Sequence, residues 1–111
     1  MGHIILTTEL LRAALAEWIR MGPETRRPVN ERLQERAPGA TDGDRMAALV
    51  EAKRAVAAAE ALAREYQAGR RSQKATVAEL RRQFAWLDVS DAADGDLAQQ
   101  LGAFGYYLVI M

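Results

Sequence analysis

Apolar positions recur at helical spacing along most of the chain. Leu10, Leu11, Ala14, Leu15, Trp18 and Ile19 share one face, and Glu9, Arg12, Glu17 and Arg20 fall on the other, which predicts a helix over 8–21. Thr7 or Thr8 stands where a hydroxyl can accept an orphan backbone N–H, and Gly22 and Pro23 stop the helix. Val29, Leu33 and Ala37 step by four, so a short helix is expected from Pro28 to Ala37. Its apolar seam is narrow, and Arg26, Arg27, Arg32 and Arg36 crowd it, which predicts a surface position. Thr41 then opens a long helix, with Asp44 reaching back to the cap. Residues 42–69 hold ten alanines, and Leu49, Ala52, Val56, Ala59, Ala63 and Tyr66 form a heptad-like seam. Such a helix is about 40 Å long, more than the width of a compact domain this small, so part of it is expected to pack on a second chain.

The polar, basic stretch Gly69–Lys74 reads as a turn. Thr76-Val77-Ala78-Glu79 matches a capping box and begins a helix that buries Val77, Leu80, Phe84 and Leu87. Ser90-Asp91, or Asp94, is expected to cap a further helix with Leu97, Leu101 and Phe104 inward, its end loosened by Gly102 and Gly105. The charge-free run Tyr106–Met111 is aromatic and β-branched and reads as a strand. It could pair with Ile4–Leu6, with a neighbouring copy, or with the sheet edge of a partner. The expected fold is mainly α: one small domain over 1–111 with four to five helices, a long central helix and a minimal terminal β-sheet. Its segments are 1–41, 42–69 and 76–111.

Composition narrows the chemistry. A chain of 111 residues suits one core and no second one. Fifteen Lys and Arg balance fifteen Asp and Glu, which argues against binding nucleic acid or anionic lipid through bulk charge alone. The balance is uneven along the chain. Residues 83–111 carry Asp88, Asp91, Asp94 and Asp96 and no base, so the first 82 residues are net basic. The absence of cysteine excludes disulfides and thiolate chemistry, and the lone His3 excludes a multi-histidine metal site. The four late aspartates fail the EF-hand pattern, because aligning its glycine with Gly95 puts Ser90, Ala92 and Leu101 at ligand positions. No nucleophile–base pair is in view, so no catalytic residue, metal or cofactor is expected. No apolar run reaches the roughly 20 residues of a membrane span, and the start lacks a signal-peptide pattern, so the expected location is the cytoplasm.

Residues 76–110 resemble the helix-turn-helix and first wing strand of a winged-helix domain. The resemblance is carried by T76-V-A-E-L-R-R-Q-F84, D88-V-S90, L97-A-Q-Q-L101 and F104-G-Y-Y-L108. It implies that the second helix enters a major groove, with Gln99 and Gln100 as its base-reading side chains. That helix carries no cation, and Asp94 and Asp96 at its leading end would repel phosphates. Winged-helix units of this kind often serve as protein-contact modules.

The expected function is therefore binding without catalysis, as an inhibitor, assembly factor or small regulator; the Ala- and Arg-rich composition suits a high-GC bacterium or its phage. The expected partner is a protein or a second copy in a homodimer, met through Trp86, Tyr106, Tyr107, Leu108, Val109, Ile110, Leu49, Val56 and Tyr66. Trp86 is read either as core or as an interface anchor. The alternative is a winged-helix-like DNA-binding regulator whose Arg70, Arg71, Lys74, Arg81 and Arg82 contact phosphates, alongside Gln99 and Gln100.

Overall fold

The computed structural model describes residues 6–20, 26–88 and 95–111. Among them the chain is mainly helical: α1 (Thr8–Ile19), α2 (Val29–Arg36), α3 (Asp42–Gln67), α4 (Gln73–Gln83), a 3-10 turn (Ala85–Leu87) and α5 (Leu97–Ile110). The chain divides into two compact units, Met1–Lys53 and Arg54–Met111, and the division falls inside α3.

In the first unit α1 starts where the threonine pair predicts. The Leu10 N–H donates to the Thr7 hydroxyl at 3.0 Å, satisfying one of the orphan donors of the first turn. Leu10, Leu11, Ala14, Leu15 and Ile19 are buried, and α2 packs against α1 through Leu33, which is fully buried. The narrow seam of α2 thus still places one side chain in the core. Gly22 and Pro23 lie outside the described residues. Thr41 and Asp44 form the reciprocal box: Asp44 N–H donates to Thr41 Oγ1 at 3.0 Å, and Thr41 N–H to Asp44 Oδ2 at 3.4 Å. Arg45 ties the α2–α3 turn by donating to the carbonyls of Ala37 and Ala40 and to Asp42.

In the second unit α3 ends in a Schellman motif. Gly69, at φ +79°, takes the left-handed position, and Arg70 N–H donates to Glu65 O while Gly69 N–H donates to Tyr66 O. Ala55, Val56, Ala59, Leu62 and Ala63 are buried, so α3 hides two adjacent stripes there rather than one.

Three sequence expectations are corrected here. The first concerns the start of α4. Ser72 is the cap, accepting from Ala75 N–H at 3.0 Å, so the helix begins before Thr76. Thr76 is 1% exposed, and its hydroxyl donates to Ser72 O at 3.0 Å. A buried hydroxyl needs a partner, and the carbonyl one turn back supplies it. The second concerns the cap of α5, which is Asp96, accepting from Gln99 N–H at 3.2 Å. Ser90, Asp91 and Asp94 lie outside the described residues.

The third correction is the largest. Residues 106–110 are helical, and no strand occurs among the described residues. The minimal β-sheet and the wing strand of the winged-helix pattern are therefore not present there, and strand pairing by Tyr106–Met111 falls with them. Packing explains the outcome. Leu97, Ala98, Leu101, Gly102 and Gly105 are buried at three- and four-residue steps, a period that only a helix satisfies. Gly105 lies so close to α3 that a Cβ there would stand 2.7 Å from the Ala59 carbonyl carbon. Gly102 and Gly105 therefore admit a neighbouring helix rather than loosen an end. The β-preference of Val109 and Ile110 is a fraction of a kcal/mol each and yields to that packing. Ile4 and Ile5 lie outside the described residues.

Candidate functional site

The first unit brings together charges that the sequence separates. Periodicity sets Glu17 and Arg12 on the polar side of α1, yet both are buried, at 4% and 6% exposed. Glu17 is the centre of an arginine cluster. Its Oε1 accepts from Arg32 Nη1 at 3.2 Å, and its Oε2 from Arg36 Nη1 at 3.1 Å. Arg20 Nη2 stands 3.1 Å from the same Oε2. Arg32 also donates to the backbone carbonyl of Glu17 at 2.9 Å, closing the last turn of α1. Beside them Arg27 pairs with Glu35 through both terminal guanidinium nitrogens, Nη1 donating to Glu35 Oε2 at 2.9 Å. That pairing holds the Glu35 carboxyl below its ordinary pKa and raises that of Arg27, the side-chain hydrogen bond being the main cause in both. Glu17, Arg20, Arg27, Arg32, Glu35 and Arg36 line an open cleft of about 300 Å³.

The second basic segment is built differently. Arg71 meets Glu65 at 3.0 Å, Arg81 meets Asp96, and Arg82 meets Glu79 with one contact at 3.0 Å. Each cation takes a separate surface carboxylate. Hydrogen bonds from Arg82 and then Gln83 lower the Glu79 carboxyl to about 2. Arg70 and Lys74 are exposed, as are Gln99 and Gln100 on the first turn of α5. The Arg81–Asp96 pair ties α4 to the cap of α5, the two helices that pack on each other.

The expected interface residues divide by burial. Leu49 and Val56 are buried within the chain. Tyr66 is 37% exposed and meets Tyr106 edge to face, centroids 5.5 Å apart. Trp86 is half-buried and edge-on to Phe84 at 5.9 Å. Tyr107 stacks on Phe104 at 6.4 Å and is exposed. Leu108 and Val109 are half-buried, and Ile110 is exposed. Ala103, Tyr107 and Ile110 thus make one outward stripe of α5 at three- and four-residue steps. Met46 and Val50, four residues apart on α3, are a second exposed apolar pair that sequence reasoning missed.

Trp18 is half-buried on α1, with the Lys53 ammonium 5.0 Å from its ring centroid. His3, Asp91 and Asp94 lie outside the described residues. Among the described residues no group of three or more His, Asp or Glu side chains could hold a metal ion, and no helix is long and apolar enough to cross a membrane. Comparison with family models, with curated proteins and with solved structures found no match for this chain.

Proposed function

We propose that this chain acts by binding protein, without chemistry of its own, and that the outward stripe of α5 makes the contact. One observation carries the reading. From Leu97 to Ile110 the helix has no charged residue, yet Tyr107 and Ile110 remain 42% and 53% exposed. Covering apolar surface gains roughly 25 cal/mol per Å², so such a stripe favours association. Side chains at i, i+4 and i+7, here Ala103, Tyr107 and Ile110, suit the mode in which a helix lies in an apolar groove. A second copy of the chain is the first partner to test, because α5 itself is a helix of the required kind.

The competing reading is a winged-helix-like DNA-binding regulator acting through Arg70, Arg71, Lys74, Arg81 and Arg82. It faces a physical cost. Arg71, Arg81 and Arg82 already have carboxylate partners, and Asp96 stands at the head of α5 where phosphates would approach. Sedimentation equilibrium of the full chain, beside Tyr107→Glu with Ile110→Glu, separates the two. A concentration-dependent dimer that the double variant loses supports the protein-binding reading. A monomer at every concentration, joined by salt-steep binding to a random duplex, replaces it with the regulator.

A further inference from the structure

The outward face of α5 has a spacing and an order of side-chain sizes that fit a copy of itself. Gln100, Ala103, Tyr107 and Ile110 are exposed and follow one another at steps of three, four and three. That alternation keeps a row of side chains on one side of a helix and is the seam of a two-helix packing. The large apolar members, Tyr107 and Ile110, stand toward the end of α5, and Gln100 and Ala103 toward its start. Reversed, the row sets Tyr107 opposite Ala103 and Ile110 opposite Gln100. The tyrosine ring then lies over a methyl group that leaves room for it, with its hydroxyl at the rim, and the Gln100 methylenes cover Ile110. Tyr107 also stacks on Phe104 of its own helix, which orders the ring before a partner arrives.

Given α5 as the contact helix, on which the pairing rests, we infer that the occupant of this stripe is the α5 of a second copy, lying antiparallel to the first about a two-fold axis. Such an interface is isologous: Tyr107 meets the partner's Ala103, and Ala103 meets the partner's Tyr107. Parallel pairing sets like against like, alanine on alanine and tyrosine on tyrosine, so that one layer has a gap and the next is crowded. Ion pairs do not set the orientation, because Leu97–Ile110 carries no charge. What remains is the helix macrodipole, which favours antiparallel neighbours, and the Asp96 caps, which antiparallel pairing places at opposite ends. One face of a 14-residue helix falls short of a standard interface of about 800 Å² per partner, so the dimer dissociates on dilution.

The full chain has no cysteine, so a single introduced thiol reports its own neighbours. The test compares Gln100→Cys alone, Ile110→Cys alone and the two mixed, each treated with a short bismaleimide at a concentration where sedimentation shows the variant to be dimeric. Antiparallel pairing brings position 100 of one copy beside position 110 of the other and holds like positions about 15 Å apart along the helix, beyond the reach of the linker. The expected result is linked dimer in the mixture and little in either variant alone. Ala103→Leu is expected to weaken the dimer at least about tenfold, because each added side chain overfills the layer beneath Tyr107. In parallel pairing the same substitution fills a gap and strengthens the dimer. Circular dichroism melting checks the fold of every variant. Gln99→Cys with Met111→Cys, the neighbouring positions in the same reversed register, replaces the first pair if either variant is unstable. Linking in the single variants as strong as in the mixture, or an Ala103→Leu dimer as tight as the parent's, overturns the antiparallel pairing and leaves α5 as the contact. Absence of any dimer, or a dimer that links in no combination, overturns the contact as well.

Discussion

The chain has two arginine-rich segments that look alike in sequence and behave differently in the fold. In 26–36 two of the cations converge: Arg32 and Arg36 share the buried carboxylate of Glu17, which comes from another helix. In 70–82 they disperse: Arg71, Arg81 and Arg82 each take their own surface carboxylate. A run of arginines thus becomes a shared cluster only where the fold brings more than one of them to the same carboxylate. The deciding anion is contributed by a distant part of the chain.

Four measurements sharpen or break that contrast. The largest effect belongs to Glu17→Ala, which leaves Arg32, 10% exposed in its side chain, without a counter-charge. Removing one partner of a buried pair costs about 3–5 kcal/mol, so urea denaturation is expected to show a loss of that order. A loss below about 1 kcal/mol would mean that the cluster is solvated and that the two segments do not differ. Next comes Asp96→Ala, which removes both the α5 cap and the partner of Arg81. It is expected to cost about 1 kcal/mol, read by thermal unfolding. Arg71→Ala, which breaks a partly exposed pair with Glu65, is expected to change stability by less than about 1 kcal/mol.

The smallest effect is a pH dependence. The Glu79 carboxyl is lowered to about 2 by Arg82 and Gln83, and that of Glu35 is lowered by Arg27. A folded-state pKa below the unfolded value means stability that is fully present above the unfolded value, 4.5, and lost as pH falls toward about 2. Both groups are at the surface, so the change is small. Melting temperature between pH 5 and pH 2 should fall less steeply in Glu79→Gln than in the parent, and identical slopes would remove the Arg82 pairing from the account.

Much of the helical framework was legible in the sequence because its signals are local. Thr7, the Thr41–Asp44 box and the Gly69 stop all act within one turn of the backbone they serve. The candidate sites were less legible. Glu17 sits at a polar position of the α1 period, and nothing in that period shows that α2 folds over it. Ser72 and Thr76 are both competent caps, and the choice between them followed from burial of the Thr76 side chain rather than from the box pattern. The sequence leaves Trp86 open between core and interface, and in the fold it is half-buried against Phe84.

The sequence by itself determined that the described chain is helical, where α1, α2 and α3 begin, and that its charges separate into a basic majority and an acidic end. Those properties rest on composition and on contacts a few residues apart. Tertiary structure decided that Tyr106–Ile110 continues a helix, because Gly105 packs on the backbone at Ala59 and the turns beyond follow it. It also decided that Arg32 and Arg36 meet on Glu17, fifteen and nineteen residues away. A side chain's propensity acts on its own turn, whereas a close backbone approach or a buried charge acts on whatever the fold brings against it, and there the second is the stronger.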